Sequence, residues 1–269
     1  MTRYDIDNLD NRSERHIATA VATLGAFLTR YFRSEVRGLQ TIPEGAALYV
    51  GNHNGGLMMP EGFVFGTALY NALGLAAMPY GLGHEVAIAL PGIRDLVVPL
   101  GAVRASHTNA LRLFERGAKV LVYPGGDLEA MRPWRHRDRI VFGGRRGYIR
   151  LALKAGVPIV PVVAAGAHET FVILDDGRWL AKLLGADRFF RLKAWPITLC
   201  LPWGVVVGPG LLYWPLPTRI LVEALPPIRF ARSGDEAAAD EAYVAACGEQ
   251  VESAMQAALT RLARERAGG

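Results

Sequence analysis

Short apolar runs, each closed by a glycine or a polar turn, alternate along this chain with segments of helical period. The runs "AALYVG" (Ala46 to Gly51), "LAAMPY" (Leu75 to Tyr80), "DLVVPLG" (Asp95 to Gly101), "KVLVYPGG" (Lys119 to Gly126), "VPIVPVVAAG" (Val157 to Gly166) and "RILVEAL" (Arg219 to Leu225) have the length of strands. Between them, helices are expected from about Glu61 to Leu73, from Ser106 or Thr108 to Glu115, and near Arg146 to Ala155, with Gly117 and Gly156 as stops. Such alternation with short links predicts an α/β fold: a single domain with a central, largely parallel sheet flanked by helices. In such sheets ligands gather outside the carboxyl ends of the strands. His53, Gly125-Gly126 and Gly166 to His168 all follow strands, so the pattern brings them toward one edge.

The ends of the chain read differently. Residues 1–35 hold an amphipathic helix from about His16 to Val36, with Ile17, Val21, Leu24, Leu28, Tyr31 and Phe32 at helical spacing. That face suits core packing or membrane contact. Residues 36–232 form the body of the domain, and residues 233–269 carry a helix from Glu236 to Arg266 that packs on it through Val244, Cys247, Val251, Met255, Leu259 and Leu262. The stretch from Leu192 to Pro217 is apolar, yet five prolines break it and Trp195, Trp203, Tyr213 and Trp214 punctuate it. Proline blocks a continuous helix, and amphipathic aromatics favour a membrane interface. The stretch is therefore a buried or interfacial element and not a span.

Composition narrows the function classes. Of 269 residues, 51% are apolar, and mean hydropathy is positive, but no uninterrupted run is long enough to cross a membrane. The first residues are too polar for a secretory signal. The two cysteines have no metal-site spacing and fit a reducing compartment. The net charge of +5 has three possible partners: nucleic acid, an anionic membrane surface or a phosphate-bearing ligand. The arginines cluster between Arg132 and Arg150 with no nucleic-acid motif around them, so nucleic acid is not expected. They read either as a solvated basic face or as a ligand site.

Most catalytic signatures are missing. There is no G-x-S-x-G elbow, no H-E-x-x-H, no phosphate-binding loop and no dinucleotide fingerprint, and the scattered histidines predict no metal. What remains is "VGNHNGGLMMPEG" (Val50 to Gly62), which sets His53 in a glycine-rich loop after a strand. A histidine there is suited to act as a general base on a hydroxyl. Such a base needs an orienting partner, and Glu61 is the nearest acid in sequence, although the helix dipole alone also favours a carboxylate at a helix start.

Asn52-His53, "GAVRAS" (Gly101 to Ser106), "VYPGGDLEA" (Val122 to Ala130) and "VPIVPV" (Val157 to Val162) come in the order and spacing of four blocks. In this the chain resembles the glycerolipid (lysophospholipid) acyltransferase superfamily over about Val36 to Phe230. Pro124-Gly125-Gly126 followed by Glu129 looks like the diacylglycerol acyltransferase branch and its plant relatives, and the likeness continues from Arg145 to Phe171. One departure stands out: Met58 occupies the place of the family's usual aspartate, with Glu61 three positions later.

The resemblance implies that His53 deprotonates a lipid hydroxyl, which attacks an acyl thioester. The donor would be acyl-CoA or an acyl carrier protein, with no cofactor beyond that co-substrate. The acceptor would be a glycerolipid or another lipid alcohol, with lysophosphatidic acid as the alternative. A lipid-binding scaffold without turnover is the alternative of another class. The resemblance also implies that Arg104 meets phosphate or head group and that Gly125, Gly126 and Glu129 shape the acceptor site. Asn52, Gly55 and Gly56 line the reacting centre, with backbone N–H groups near Gly55-Gly56 or Gly125-Gly126 as oxyanion donors. From their charge, Arg145 and Arg146 are expected to bind donor phosphates. The expected location is cytoplasmic, peripheral on the inner face of a membrane.

Overall fold

The computed structural model describes residues 4–56, 58–85, 88, 92–185, 194–208 and 213–268. Ten strands follow one another among these residues: β1 (Glu35–Arg37), β2 (Ala47–Gly51), β3 (Tyr80–Gly83), β4 (Ala102–Arg104), β5 (Lys119–Val122), β6 (Ile159–Ala165), β7 (Val172–Asp175), β8 (Ile197–Cys200), β9 (Gly204–Val207) and β10 (Leu221–Ala224). Seven make one sheet in the order β1-β10-β6-β2-β5-β3-β4. β6, β2, β5, β3 and β4 are mutually parallel, while β10 pairs antiparallel with β6 and carries β1 with it. The expected largely parallel α/β sheet is therefore present. β7, β8 and β9 form a separate antiparallel sheet.

The helices are α1 (Glu14–Ala20), α2 (Ala26–Tyr31), α3 (Pro60–Leu73), α4 (Ile93–Val97), α5 (His107–Glu115), α6 (Gly126–Ala130), α7 (Gly147–Ala155), α8 (Arg178–Leu183), α9 (Asp235–Ala239) and α10 (Glu241–Gly268). Strands β2 and β6 are buried along their whole length, as continuous apolar runs covered on both faces must be. Alternation along β2 sorts its side chains. Leu48 and Val50 face α5, α7 and α10 through Leu113, Ile149, Val251, Met255 and Leu259. Ala47 and Tyr49 face α2 and α3 through Leu28, Phe32, Val64, Phe65 and Leu69. Gly25 sits at a close crossing, where an added Cβ would lie 2.1 Å from Thr67 Oγ1 of α3.

Four elements depart from expectation. Leu75–Ala77 is a 3-10 turn and the strand begins at Tyr80, since alanines favour the pleated ladder less than the β-branched and aromatic residues do. The run from Asp95 to Gly101 holds the end of α4, and its strand starts only after Gly101 (φ +107°), because periodicity cannot separate helix from strand in so short an apolar run. The first helical segment stops at Tyr31, passes through Arg33 at φ +45°, and enters β1 before Val36. The C-terminal helix is two helices, broken at Asp240, whose Oδ1 accepts from the Tyr243 N–H and caps α10. In the stretch from Leu192 to Pro217, residues 192–193 and 209–212 lie outside the described residues, and β8 and β9 form a hairpin in the rest.

Candidate active site

β2 delivers Asn52, His53 and Asn54 to the carboxyl edge of the sheet. Asn52 continues the ladder with its side chain: Nδ2 donates to Ala164 O (2.9 Å) and Oδ1 accepts from Ala164 N (2.8 Å). It is buried and fully engaged with β6, so it holds the loop. Gly55 (φ +63°) and Gly56 (φ +55°) then turn the chain through left-handed conformations, and Met59 (φ +45°) repeats the turn as the cap before α3. Side chains on those glycines would strike Pro60 and Phe171.

The backbone of His53 is clamped from both sides. Its N–H donates to Glu129 Oε2 (2.8 Å), and its C=O accepts from Arg132 Nη1 (2.7 Å). The other Glu129 oxygen accepts from Val141 N (3.0 Å). Glu129 is wholly buried at the end of the α6 turn, and burial pushes its carboxyl above the usual range. Gly125 makes room for it: a Cβ there would lie 2.3 Å from Glu129 Cβ and 2.4 Å from Oε2.

Arg132 spends every N–H it has. Nε donates to His136 O, Nη1 to His53 O and Glu129 O, and Nη2 to Asn54 Oδ1 and Arg137 O, at 2.5–3.1 Å. A guanidinium carries five donors, and all are used in a side chain that is 2% exposed. This cation ties His53, Asn54, α6 and the following loop into one unit. As one of seven arginines in a basic segment it carried no sequence signal of its own; only the tertiary fold supplies its acceptors. His168 Nε2 donates to Arg132 O (2.8 Å), so it carries a proton, and burial holds the His168 pKa well below its ordinary value.

The His53 ring packs against Tyr123, with centroids 5.1 Å apart. Gly51 and Gly62 leave the space for that tyrosine. Burial lowers the His53 pKa to about 4, so the ring is neutral at neutral pH. The backbone of Asn54 and the charge of Asp127 act against this, and Arg132 acts with it.

His53 Nδ1 is buried without a hydrogen-bond partner among the described residues. The expected pairing with Glu61 is therefore not formed. Glu61 Oε1 instead accepts from the Asn54 N–H (2.9 Å), and Oε2 is also buried without a partner. The left-handed turns at Gly55, Gly56 and Met59 lead the first turn of α3 back to the loop backbone and not to the ring. Burial raises the Glu61 pKa to about 8, so this acid is largely protonated at neutral pH.

The remaining expected residues spread along the edge. Gly126 (φ +51°) gives its N–H to Tyr123 O, so it is not an oxyanion donor. Arg145 ties the same turn, donating to Pro124 O, Gly125 O and Asp127 Oδ1. It also lines a groove of about 440 Å³ with Leu82, Ser106, His107, Val122 and Pro124. Arg146 pairs with Glu252 of α10 (3.1 Å). Arg104, at the end of β4, pairs with Asp7 (3.0 Å) and Glu85 (3.4 Å). β4 lies three strands from β2, or about 14 Å at ordinary strand spacing, so Arg104 is at the periphery of the His53 loop.

Comparison with known proteins agrees with this architecture. A family described as Acyltransferase matches residues 33–165. An uncharacterized protein of Mycobacterium tuberculosis is 30% identical over 261 residues, covering 96% of this chain and 70% of that protein. Diacylglycerol O-acyltransferase 1 of Eremothecium gossypii is 31% identical over 106 residues, covering 36% of this chain and 23% of that one. The crystal structure of the 1-acyl-sn-glycerophosphate (LPA) acyltransferase PlsC from Thermotoga maritima matches with a TM-score of 0.55 at 16% identity, covering 93% of this chain and 82% of that one, and so shares its fold. This chain belongs to the acyltransferase family, within the glycerolipid acyltransferase superfamily.

Proposed function

We propose that this acyltransferase moves a fatty acyl group from a thioester donor to the hydroxyl of a lipid alcohol at a membrane surface, with His53 as general base. The observation that carries the reading is the clamp on His53. Both backbone polar groups of the residue are fixed by buried side chains, and its ring is held neutral by burial beside Tyr123. A neutral imidazole so held takes the proton of the acceptor hydroxyl as its oxygen attacks the thioester carbonyl. The oxyanion forms against the backbone N–H groups of Gly55 and Gly56. The carbon–sulfur bond then breaks, and the thiolate leaves with the proton carried by His53.

The remaining residues support this chemistry at one remove. Glu129, Arg132, Asn52, Asn54 and Glu61 position the loop and touch no reacting atom. The groove lined by Val122 and Pro124, with Arg145 on its wall and the start of α5 facing it, is our assignment for the phosphates of an acyl-CoA donor. Pro124-Gly125-Gly126 with Glu129, and the matched stretch of a diacylglycerol acyltransferase, favour a neutral acceptor over lysophosphatidic acid.

The test is to supply labelled acyl-CoA with a panel of acceptors, monoacylglycerol, diacylglycerol, a long-chain alcohol and lysophosphatidic acid, and to compare wild type with His53→Ala. Transfer to a neutral acceptor, lost by about 10²-fold or more in the variant, is the expected result. Equal transfer by both proteins removes His53 from the chemistry, and transfer confined to lysophosphatidic acid overturns the assignment of acceptor.

A further inference from the structure

We propose that the outer face of the β7-β8-β9 sheet is the surface on which this protein sits in an anionic lipid bilayer. The proposal deepens the membrane reading above and rests on it. A three-stranded antiparallel sheet normally buries one face and gives a polar one to water. Apart from Asp175 beside Ile197, the outward side of this sheet is apolar as well. Register places Leu199 opposite Val205 and Ile197 opposite Val207, and the bridge from Leu201 to Trp214 continues the same side. Leu199, Leu201, Val205, Val207 and Trp214 are all 45–63% exposed. The alternate positions, Thr198, Cys200, Val206 and Tyr213, point the other way, into the protein.

What surrounds the face identifies its occupant. Trp179 and Leu183, one helical turn apart on α8 directly after β7, are 60% and 74% exposed. On the other flank the Tyr31 hydroxyl donates to Pro215 O, next to Trp214, and the exposed Phe27 stacks on Tyr31. Tryptophans at the border of an apolar surface suit the head-group layer of a bilayer. The 3-10 turn Trp134–His136 packs on β7, and Arg135 in it, Arg139 just after it and Lys182 on α8 have no ion-pair partner among the described residues. Cations around an apolar face complement anionic head groups. No helix among the described residues is long and apolar enough to cross a membrane.

The inner face of the same sheet reaches the reacting loop. Tyr213 donates to Gly55 O (2.8 Å) and packs at a tilt against Phe171, with which a Cβ on Gly56 would collide. One thin sheet thus separates lipid from the His53 loop.

The experiment is flotation of the full chain with vesicles of phosphatidylcholine, alone and mixed with phosphatidylglycerol, with no acyl donor present. Wild type is expected to float with the mixed vesicles and to be released by salt. The Val205→Glu/Val207→Glu variant is expected to partition at least about tenfold less, the change a free-energy difference of about 1.4 kcal/mol makes. Ile93→Glu/Leu96→Glu, which alters exposed apolar residues of α4, is expected to float like wild type.

Flotation of the β9 variant like wild type overturns the proposal, as does a wild type that never floats. A solution dimer that the β9 variant dissolves assigns the face to a second copy and also overturns it. Because glutamates on β9 test the sheet only if it still folds, quenching by brominated lipid gives a second reading on unaltered strands. Trp214→Phe is expected to lower the quenched fraction and Trp134→Phe to leave it; the reverse counts against the face. His53→Ala is expected to float normally, so undiminished acyl transfer by a variant that still floats rejects the catalytic reading alone.

Discussion

The His53 imidazole is kept neutral by burial, and this has a sign that can be followed with pH. Its folded pKa of about 4 lies below the ordinary 6.5. The folded state therefore resists protonation: stability from this group is complete above about 6.5 and is lost as pH falls toward about 4. Glu61 runs the other way. Its folded pKa of about 8 lies above the ordinary 4.5, so its contribution is complete below about 4.5 and is lost as pH rises through about 8. Between about 4.5 and 6.5 the two slopes oppose each other, and single variants separate them. Glu61→Gln keeps an acceptor for the Asn54 N–H and removes the titration. Denaturant melts of this variant should lose less stability than wild type between about pH 5 and pH 9; an unchanged profile would mean that Glu61 is ionised in the fold. The acid limb of kcat/KM should fall well below pH 6.5 in wild type.

The element that matters most is the loop from Asn52 to Met59 with the α6 turn beneath it. Arg132→Lys replaces a five-donor fork with a single ammonium and leaves several carbonyls and Asn54 Oδ1 without donors. It should cost about 3–5 kcal/mol of stability, as breaking a buried charge network does. In protein that remains folded, kcat should fall by about 10²-fold with little change in KM, because a displaced base loses its geometry. Steady-state kinetics decide this, and a change confined to KM would make Arg132 part of a binding surface instead. Gly125→Ala forces a Cβ into Glu129 and Val141 O, and should lower stability by about 1–3 kcal/mol in a thermal melt; an unaltered melt would mean that the turn yields.

At this scale the sequence was legible where chemistry is local. The strand leading into His53, the Ser106 cap and the Pro-Gly-Gly turn each follow from neighbours in the chain. The partner of the histidine did not. Glu61 is close in sequence, but three left-handed residues send it to the backbone, and handedness at Met59 has no sequence signature. Glu129 was expected, from the resemblance alone, to shape the acceptor site, and its hydrogen bond to the His53 N–H, 76 residues away in the chain, had no local signal.

Across the whole molecule, a mostly parallel sheet gathers the His53 loop, the α6 turn and the end of β6 along one edge, and α10 locks the far side. Arg266, near the end of α10, donates to Glu169, the neighbour of His168 in sequence, with both Nη atoms (2.9 and 2.7 Å), and to the carbonyl of Arg219 with Nε. Arg266→Leu should destabilise the fold by about 2 kcal/mol or more, since it leaves a half-buried carboxylate with only Arg137 and Thr218; a thermal melt checks it. The sheet and its flanking helices were legible because binary patterning repeats along the chain. The second sheet was visible only as an apolar segment, broken by proline, with two readings. Burial of one face bears out the core reading, and the exposed face is the one proposed above for the membrane.

The clamp around His53 is the central claim, and single-turnover transfer from labelled acyl-CoA to a neutral lipid alcohol on vesicles tests it most directly. Wild type should transfer. His53→Ala should lose about 10²-fold or more in rate, and Arg132→Lys should lose rate without losing donor affinity. Undiminished transfer by His53→Ala would contradict the account.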